Sequence, residues 1–182
     1  TNAGSDTKSY LTLSGTNTYT GATTITAGTV DVTGSVASTS VVIDNGGTLK
    51  VDGLSLADAS VVANAGTLVV TGSETIGSLT GAGGVTIATS KILTVGDGTS
   101  AAEFSGAISG DGGVAKAGSG ILTLSGTNAY TGATTIAAGT LDVTGSVAST
   151  SVAINNGGTL KVDGASLADA SVVANAGTLV VT

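Results

Sequence analysis

Twelve acidic residues and five lysines are nearly all the ionisable chemistry in these 182 residues, and histidine, cysteine and arginine are absent. Glycosidic hydrolysis needs two carboxyl groups about 5–10 Å apart in a cleft. Asp31 and Asp52 would reach that range on adjacent coils. However, Lys50 lies between them in sequence, and no aromatic platform for a sugar ring accompanies them. A serine with a lysine as base is a conceivable nucleophile, yet serines are spread along the chain and none is singled out. The segments GAGGVTIAT and GDGGVAKAG have the glycines of a nonapeptide calcium repeat, but Asp97 and Asp111 lack its ninefold spacing and are expected to cap turns. The G-x-G fragments at Gly81/Gly83 and Gly118/Gly120 lack the strand–helix setting of a phosphate loop. The expectation is a chain with no catalytic residue, no metal and no cofactor, whose charges are solvated.

Composition narrows the classes further. The net charge is −7 and the lysines (Lys8, Lys50, Lys91, Lys116, Lys161) are scattered. Nucleic-acid binding wants a clustered basic surface with stacking aromatics, so it is not expected. No apolar run of about 18 residues occurs, so no membrane insertion of this segment is expected. The opening TNAGSDTKSY has neither a basic start nor an apolar stretch and does not read as a signal peptide. It reads as part of an excised or processed piece of something longer. Glycine, threonine, serine, alanine and valine dominate, and the only aromatics are three tyrosines and Phe104. Such residues suit a thin core wrapped by strands.

The elements that must position these side chains are written as repeats. Residues 11–71 recur at 122–182 with 55 identities in 61 positions. Beneath this lies the pattern aliphatic-x-aliphatic-x-Gly, at Leu11, Val30, Leu49 and Leu68, and again at Leu122, Leu141, Leu160 and Leu179, in steps of 19. Leu93-Val95 interrupts it with steps of 25 and 29. A unit this short must stack on its neighbours, and period-two alternation is a strand with one face inward. The pattern predicts an all-β, right-handed parallel β-helix (β-solenoid) with about 19 residues per coil, about nine coils and a length of roughly 40 Å. It is one segment, 1–182, with regular coils over 11–72, longer-loop coils over 73–121 and regular coils over 122–182.

Leu11, Val30, Leu49 and Leu68 are expected to form one inward ladder, and Leu13, Val32, Val51 and Val70 a second. Gly28, Gly47 and Gly66 mark a corner expected to need positive φ. Asn45 and Asn64 are assigned to one turn position, as are Asn156 and Asn175. Asp31 should sit one coil below Lys50, and Asp142 below Lys161, on exposed strands, so that Lys50→Ser would be nearly silent. The second strand drifts in register and its inward residues stay open. At a step of 19, Thr24 meets Ile43 and Val62, so the flat threonine array of an ice-binding solenoid fails, although Thr29, Thr48 and Thr67 share a column. Tyr19 and Tyr130 are expected to lie over the outer edge of the core rather than to contact a sugar.

The run FSGAISGDGGVAKAGSGILTLSGTNAYTGATTIAAGTL, from Phe104 to Leu141, resembles the passenger-associated strand repeat of autotransporter adhesins, the type V secreted proteins of Gram-negative bacteria. Ser105, Gly106, Ile108, Gly110, Lys116, Gly118, Gly120, Leu122, Leu124, Gly126, Asn128, Tyr130, Gly132, Ile136 and Gly139 carry the phrase. The first copy keeps only its second half, from Leu11. The resemblance implies a β-helical passenger outside the outer membrane, exported through a C-terminal barrel. It implies roles in adhesion, aggregation or biofilm, with partners among other cell-surface molecules or copies of the chain itself, end to end or side by side. A self-assembling extracellular fibre is the alternative, and a glycan-active β-helix enzyme a remote one. The last strand, AGTLVVT, has no charge or proline to blunt its edge, so end-to-end stacking of copies is expected.

Overall fold

The computed structural model describes residues 9–53, 55–96, 101–164, 166–168 and 171–182. Alternating apolar residues fold here as short parallel strands, every one paired with the strand a turn away. The result is an all-β solenoid of about nine turns, roughly 19 residues each. Each turn has three sides. The first side stacks Tyr10–Leu13, Gly28–Val32, Gly47–Val51, Thr67–Val70, Gly84–Ile87 and Ala107–Ser109, with Thr127–Asn128, Ser146–Val147 and Ser166–Leu167 following. The second begins with Thr16–Asn17, Ser35–Val36 and a single bridge at Leu56. It continues as a six-stranded sheet from Glu74–Ile76 to Val172–Asn175. The third runs from Thr23–Ile25 through Ser40–Ile43, Val61–Asn64 and Ser78–Thr80. It then runs from Ala102–Phe104 through Ile121–Leu124, Gly139–Val143 and Gly158–Val162 to Thr178–Val181.

The inward ladders are those the alternation predicts. Leu11, Val30, Leu49 and Leu68 pair in succession, and Val85 and Ile108 extend the row. All but Leu11, on the outermost described turn, are buried. Leu93 does not continue this row, as the interrupted spacing suggested; it lies on the second side, paired with Glu74 and Val114. The central segment holds the strands Glu74–Ile76, Ser78–Thr80, Gly84–Ile87, Ile92–Val95, Ala102–Phe104, Ala107–Ser109 and Gly113–Lys116. The open register of the third side resolves as Ile25, Ile43 and Asn64 facing inward. Asn64 therefore pairs with Ile43, not Asn45, and Thr24 meets Val42 and Ala63.

The two copies are not stacked on the same side. LTL at 11–13 lies on the first side, whereas LTL at 122–124 lies on the third. Their offset of 111 residues is thus five turns and two thirds, and the second copy is turned by one side of the prism. The corner glycines record this. Gly47, Gly66, Gly83, Gly106, Gly126 and Gly145 form one column, each close under the next along the axis. In the first copy the column uses the glycine that opens GTL; in the second it uses the glycine that closes LTLSG and DVTG. Positive φ explains Gly28 (φ 74°) but not Gly47, whose neighbour Gly46 is the left-handed residue instead, nor Gly66. At Gly66 a Cβ would run into the carbonyl oxygens of Gly47 and Asp44, so close stacking excludes a side chain.

Candidate functional site

The outer faces bring the predicted charges together and neutralise them. Lys50 Nζ lies 3.0 Å from Asp31 Oδ2, which also accepts the Tyr10 hydroxyl. Asp31 is 6 % exposed, deeper than its outer-face position suggested, because both side chains fold over it. The Tyr10 hydroxyl, opposed by burial, holds its carboxyl below the usual range, and Lys50 adds to this. In the second copy Lys161 bridges Asp142 at 3.3 Å and Asp163 at 3.1 Å, the equivalents of Asp31 and Asp52. A lysine between two carboxylates blocks the acid–nucleophile arrangement that hydrolysis needs. Asp52 contacts Thr71 Oγ1 at 3.5 Å. Asp111 accepts the hydroxyls of Thr89 (3.3 Å) and Thr131 (3.2 Å) across neighbouring turns. Asp97 lies outside the described residues, among which no cluster of three potential metal ligands occurs. The Thr29–Thr48–Thr67 column is present, with no matching column from Thr24.

Several polar residues turn inward. Glu74, on the strand Glu74–Ile76, is 2 % exposed, and its carboxylate accepts the backbone N–H groups of Ser55 (2.9 Å) and Leu56 (3.0 Å). It stands one turn beyond Leu56, where the second side has only a bridge instead of a strand. Asn128, at the start of the corner before Tyr130, accepts Ile108 N–H at 3.1 Å and donates to the carbonyls of Gly126 and Ser146, both at 3.0 Å. It clamps three successive turns. Lys116 follows Val114 inward and is 2 % exposed; burial lowers its pKa. Its ammonium donates to the carbonyls of Ala117 and Gly118 (3.0 Å for the latter). Tyr130 is fully buried, bonded to Thr134 Oγ1 at 2.7 Å, and burial pushes its pKa up to about 12. The expected outer-edge ring is therefore wrong for Tyr130. Tyr19, on the outermost described turn, is 42 % exposed. Sequence alternation marks Lys116 and Glu74 as inward only if the neighbouring ladder is already known, so both were missed.

An open groove of about 220 Å³ crosses the first-to-second corner over Ser90, Lys91, Ile92, Asp111, Gly132 and Thr135. It spans the junction between the central segment, where longer loops were expected to project, and the second copy, which contributes Gly132 and Thr135. Ser90 has φ 62°, the left-handed region that a non-glycine residue seldom adopts.

Glu74 makes stability depend on pH. Burial raises its pKa above the ordinary 4.5, against the pull of the two N–H donors. The folded state therefore holds this proton more tightly than the unfolded state, and stability from this group is present at acid pH and lost as pH rises through the raised pKa. Urea melts are expected to show stability falling as pH rises above the ordinary glutamate pKa, a fall that Glu74→Gln removes. An unchanged slope in the variant would refute the assignment.

Fold and site together define a long β-solenoid whose polar residues brace turns or cancel charge. Two segments, residues 9–32 and 114–143, match the passenger-associated-transport-repeat family. The first covers one turn of the solenoid with the strand that opens the next, and the second covers one turn and the two following strands. Searches of curated proteins and of solved structures gave no match. The chain carries passenger-associated-transport-repeat domains, which are found in autotransporter passengers and are not a catalytic family. A passenger repeat implies secretion to the cell surface.

Proposed function

We infer that the chain is a non-enzymatic stalk segment of a surface-displayed autotransporter passenger, and that it acts in cell adhesion, aggregation or biofilm. The observation that carries this reading is the passenger repeat recurring within an unbroken stack of turns. A stack extends by about 4.8 Å for each copied turn. Reach is therefore gained without new chemistry, which suits a chain in which Asp31 and Asp142 are paired with lysine and Glu74 is spent on backbone N–H groups. Beads coated with the purified chain are expected to attach to cells or to clump, and small-angle scattering is expected to give a rod roughly 40 Å long. Inert beads would overturn the adhesive reading. Length-heterogeneous polymers would favour the fibre.

A further inference from the structure

The dipeptide Asn-Gly occurs once in each copy, at Asn45-Gly46 and Asn156-Gly157. Each forms the tip of a corner, between Ser40–Ile43 and Gly47–Val51 or between Ser151–Ile154 and Gly158–Val162. The base of each corner is closed. Gly47 N–H donates to the Asp44 carbonyl, and Gly158 N–H to the Asn155 carbonyl, both at 2.9 Å. Gly46 (φ 96°) and Gly157 (φ 89°) hold the left-handed third position of a type II turn. The tip itself is open. Asn45, Gly46, Asn156 and Gly157 are all exposed. No hydrogen bond among the described residues uses the Gly46 or Gly157 N–H. Nothing lies within 4 Å of where a Cβ would stand on either glycine. The amide nitrogen beside each asparagine side chain is therefore free of partners and of steric cover.

The other described asparagines lack this setting. Asn64 and Asn128 are buried. The side chains of Asn17 and Asn175 are hydrogen-bonded, and Thr18 and Ala176 follow them. Asn155 is followed by Asn156, whose side chain crowds the nitrogen next to it.

We propose that Asn45 and Asn156 are sites of spontaneous deamidation in the folded chain, each turning one corner from neutral to anionic. Asparagine is among the thermolabile residues. The Gly46 nitrogen loses its proton and bonds to Asn45 Cγ, the Cγ–Nδ2 bond breaks, and ammonia leaves with that proton. Water then opens the resulting succinimide ring. Opening at Cγ gives aspartate in an unaltered main chain. Opening at the former main-chain carbonyl gives isoaspartate, whose main chain is one atom longer. The same steps apply to Asn156 and Gly157. The packing selects between the products. A Cβ on Gly66 would lie 2.3 Å from the Gly47 carbonyl oxygen and 2.4 Å from that of Asp44, and one on Gly177 the same distances from those of Gly158 and Asn155. The next turn thus presses on both carbonyls that flank each tip. An extra main-chain atom between them has no room, so the folded corner favours aspartate. An ageing chain becomes more acidic at two fixed points, which weakens its approach to anionic surfaces.

Peptide mapping by mass spectrometry tests this, on the purified chain held in mildly alkaline buffer either folded or in urea. In the folded chain Asn45 and Asn156 are expected to show the mass gain of an amide-to-acid exchange well before Asn17, Asn64, Asn128, Asn155 or Asn175. Ion exchange should resolve two successive acidic species, and Asn45→Ser combined with Asn156→Ser should abolish both. Labelling with the methyltransferase that esterifies isoaspartate should find a smaller isoaspartate share in the folded chain than in urea. If either Asn45 or Asn156 stays intact in the folded chain while converting in urea, the proposal is overturned. Conversion of Asn64 or Asn128 in the folded chain at the same rate would overturn it as well. An isoaspartate share as large folded as in urea would overturn the selection by packing.

Discussion

Leu49→Asp is expected to unravel the middle turns, with the largest loss of stability of any single change considered. Leu49 is 1 % exposed and sits between Val30 and Leu68 in the inward row. Losing the buried leucine removes roughly 1.5–3 kcal/mol, and a carboxylate buried without a partner adds several more. Lys50→Ser, one residue away, is silent on sequence grounds alone. The structure revises this. Removing Lys50 leaves the buried Asp31 with the Tyr10 hydroxyl alone, and Asp31 Oδ1 has no partner among the described residues. A small but measurable loss of stability is expected. Thr86→Ser on the outer face should change nothing measurable. Urea midpoints in that order are the check; equal midpoints for Leu49→Asp and Thr86→Ser would refute the register.

Gly126→Ala and Gly15→Ala change the same letter in the same repeated sentence, and they are expected to differ sharply. At Gly126 a new Cβ would collide with the carbonyl oxygens of Gly106 and Ser105 in the turn beneath. Backbone cannot step aside as a flexible side chain does, so a loss of about 1–3 kcal/mol or more is expected. At Gly15 nothing lies within 4 Å and φ is not positive, so alanine fits. It is expected to be neutral or to stabilise by about 0.4–1 kcal/mol, by restricting the unfolded chain. Thermal melts of the two variants measure the contrast, and matching melting temperatures would refute the stacked column.

The ladders were legible because alternation needs no knowledge of neighbours: Leu49 and Val51 read as inward from their own strand. The turn of the second copy was not. A step of 19 recurs in both blocks, and nothing in Leu122-Thr-Leu124 says which of three sides it occupies. The one hint is arithmetic, since 111 is not a multiple of 19. Glu74, Lys116 and Asn128 were missed for a different reason. Each is a polar residue whose burial is tolerated because backbone groups satisfy it; for Glu74 and Asn128 those groups lie about 20 residues away in sequence, and for Lys116 they are the carbonyls of Ala117 and Gly118 just beyond it. Asn64 was misplaced because Ile25 to Ile43 spans 18 residues and Ile43 to Asn64 spans 21, which a uniform step conceals.

Stacking turn upon turn has a mechanical consequence. Each turn leans on its immediate neighbours, and the chain has no cysteine to tie distant turns together. Under tension applied at its ends, a turn can therefore peel off whole while the rest stays folded. A turn of about 19 residues occupies about 4.8 Å of the rod but reaches about 65 Å when drawn out. A tether built this way lengthens by about 60 Å for every turn released, and so yields stepwise under load rather than snapping.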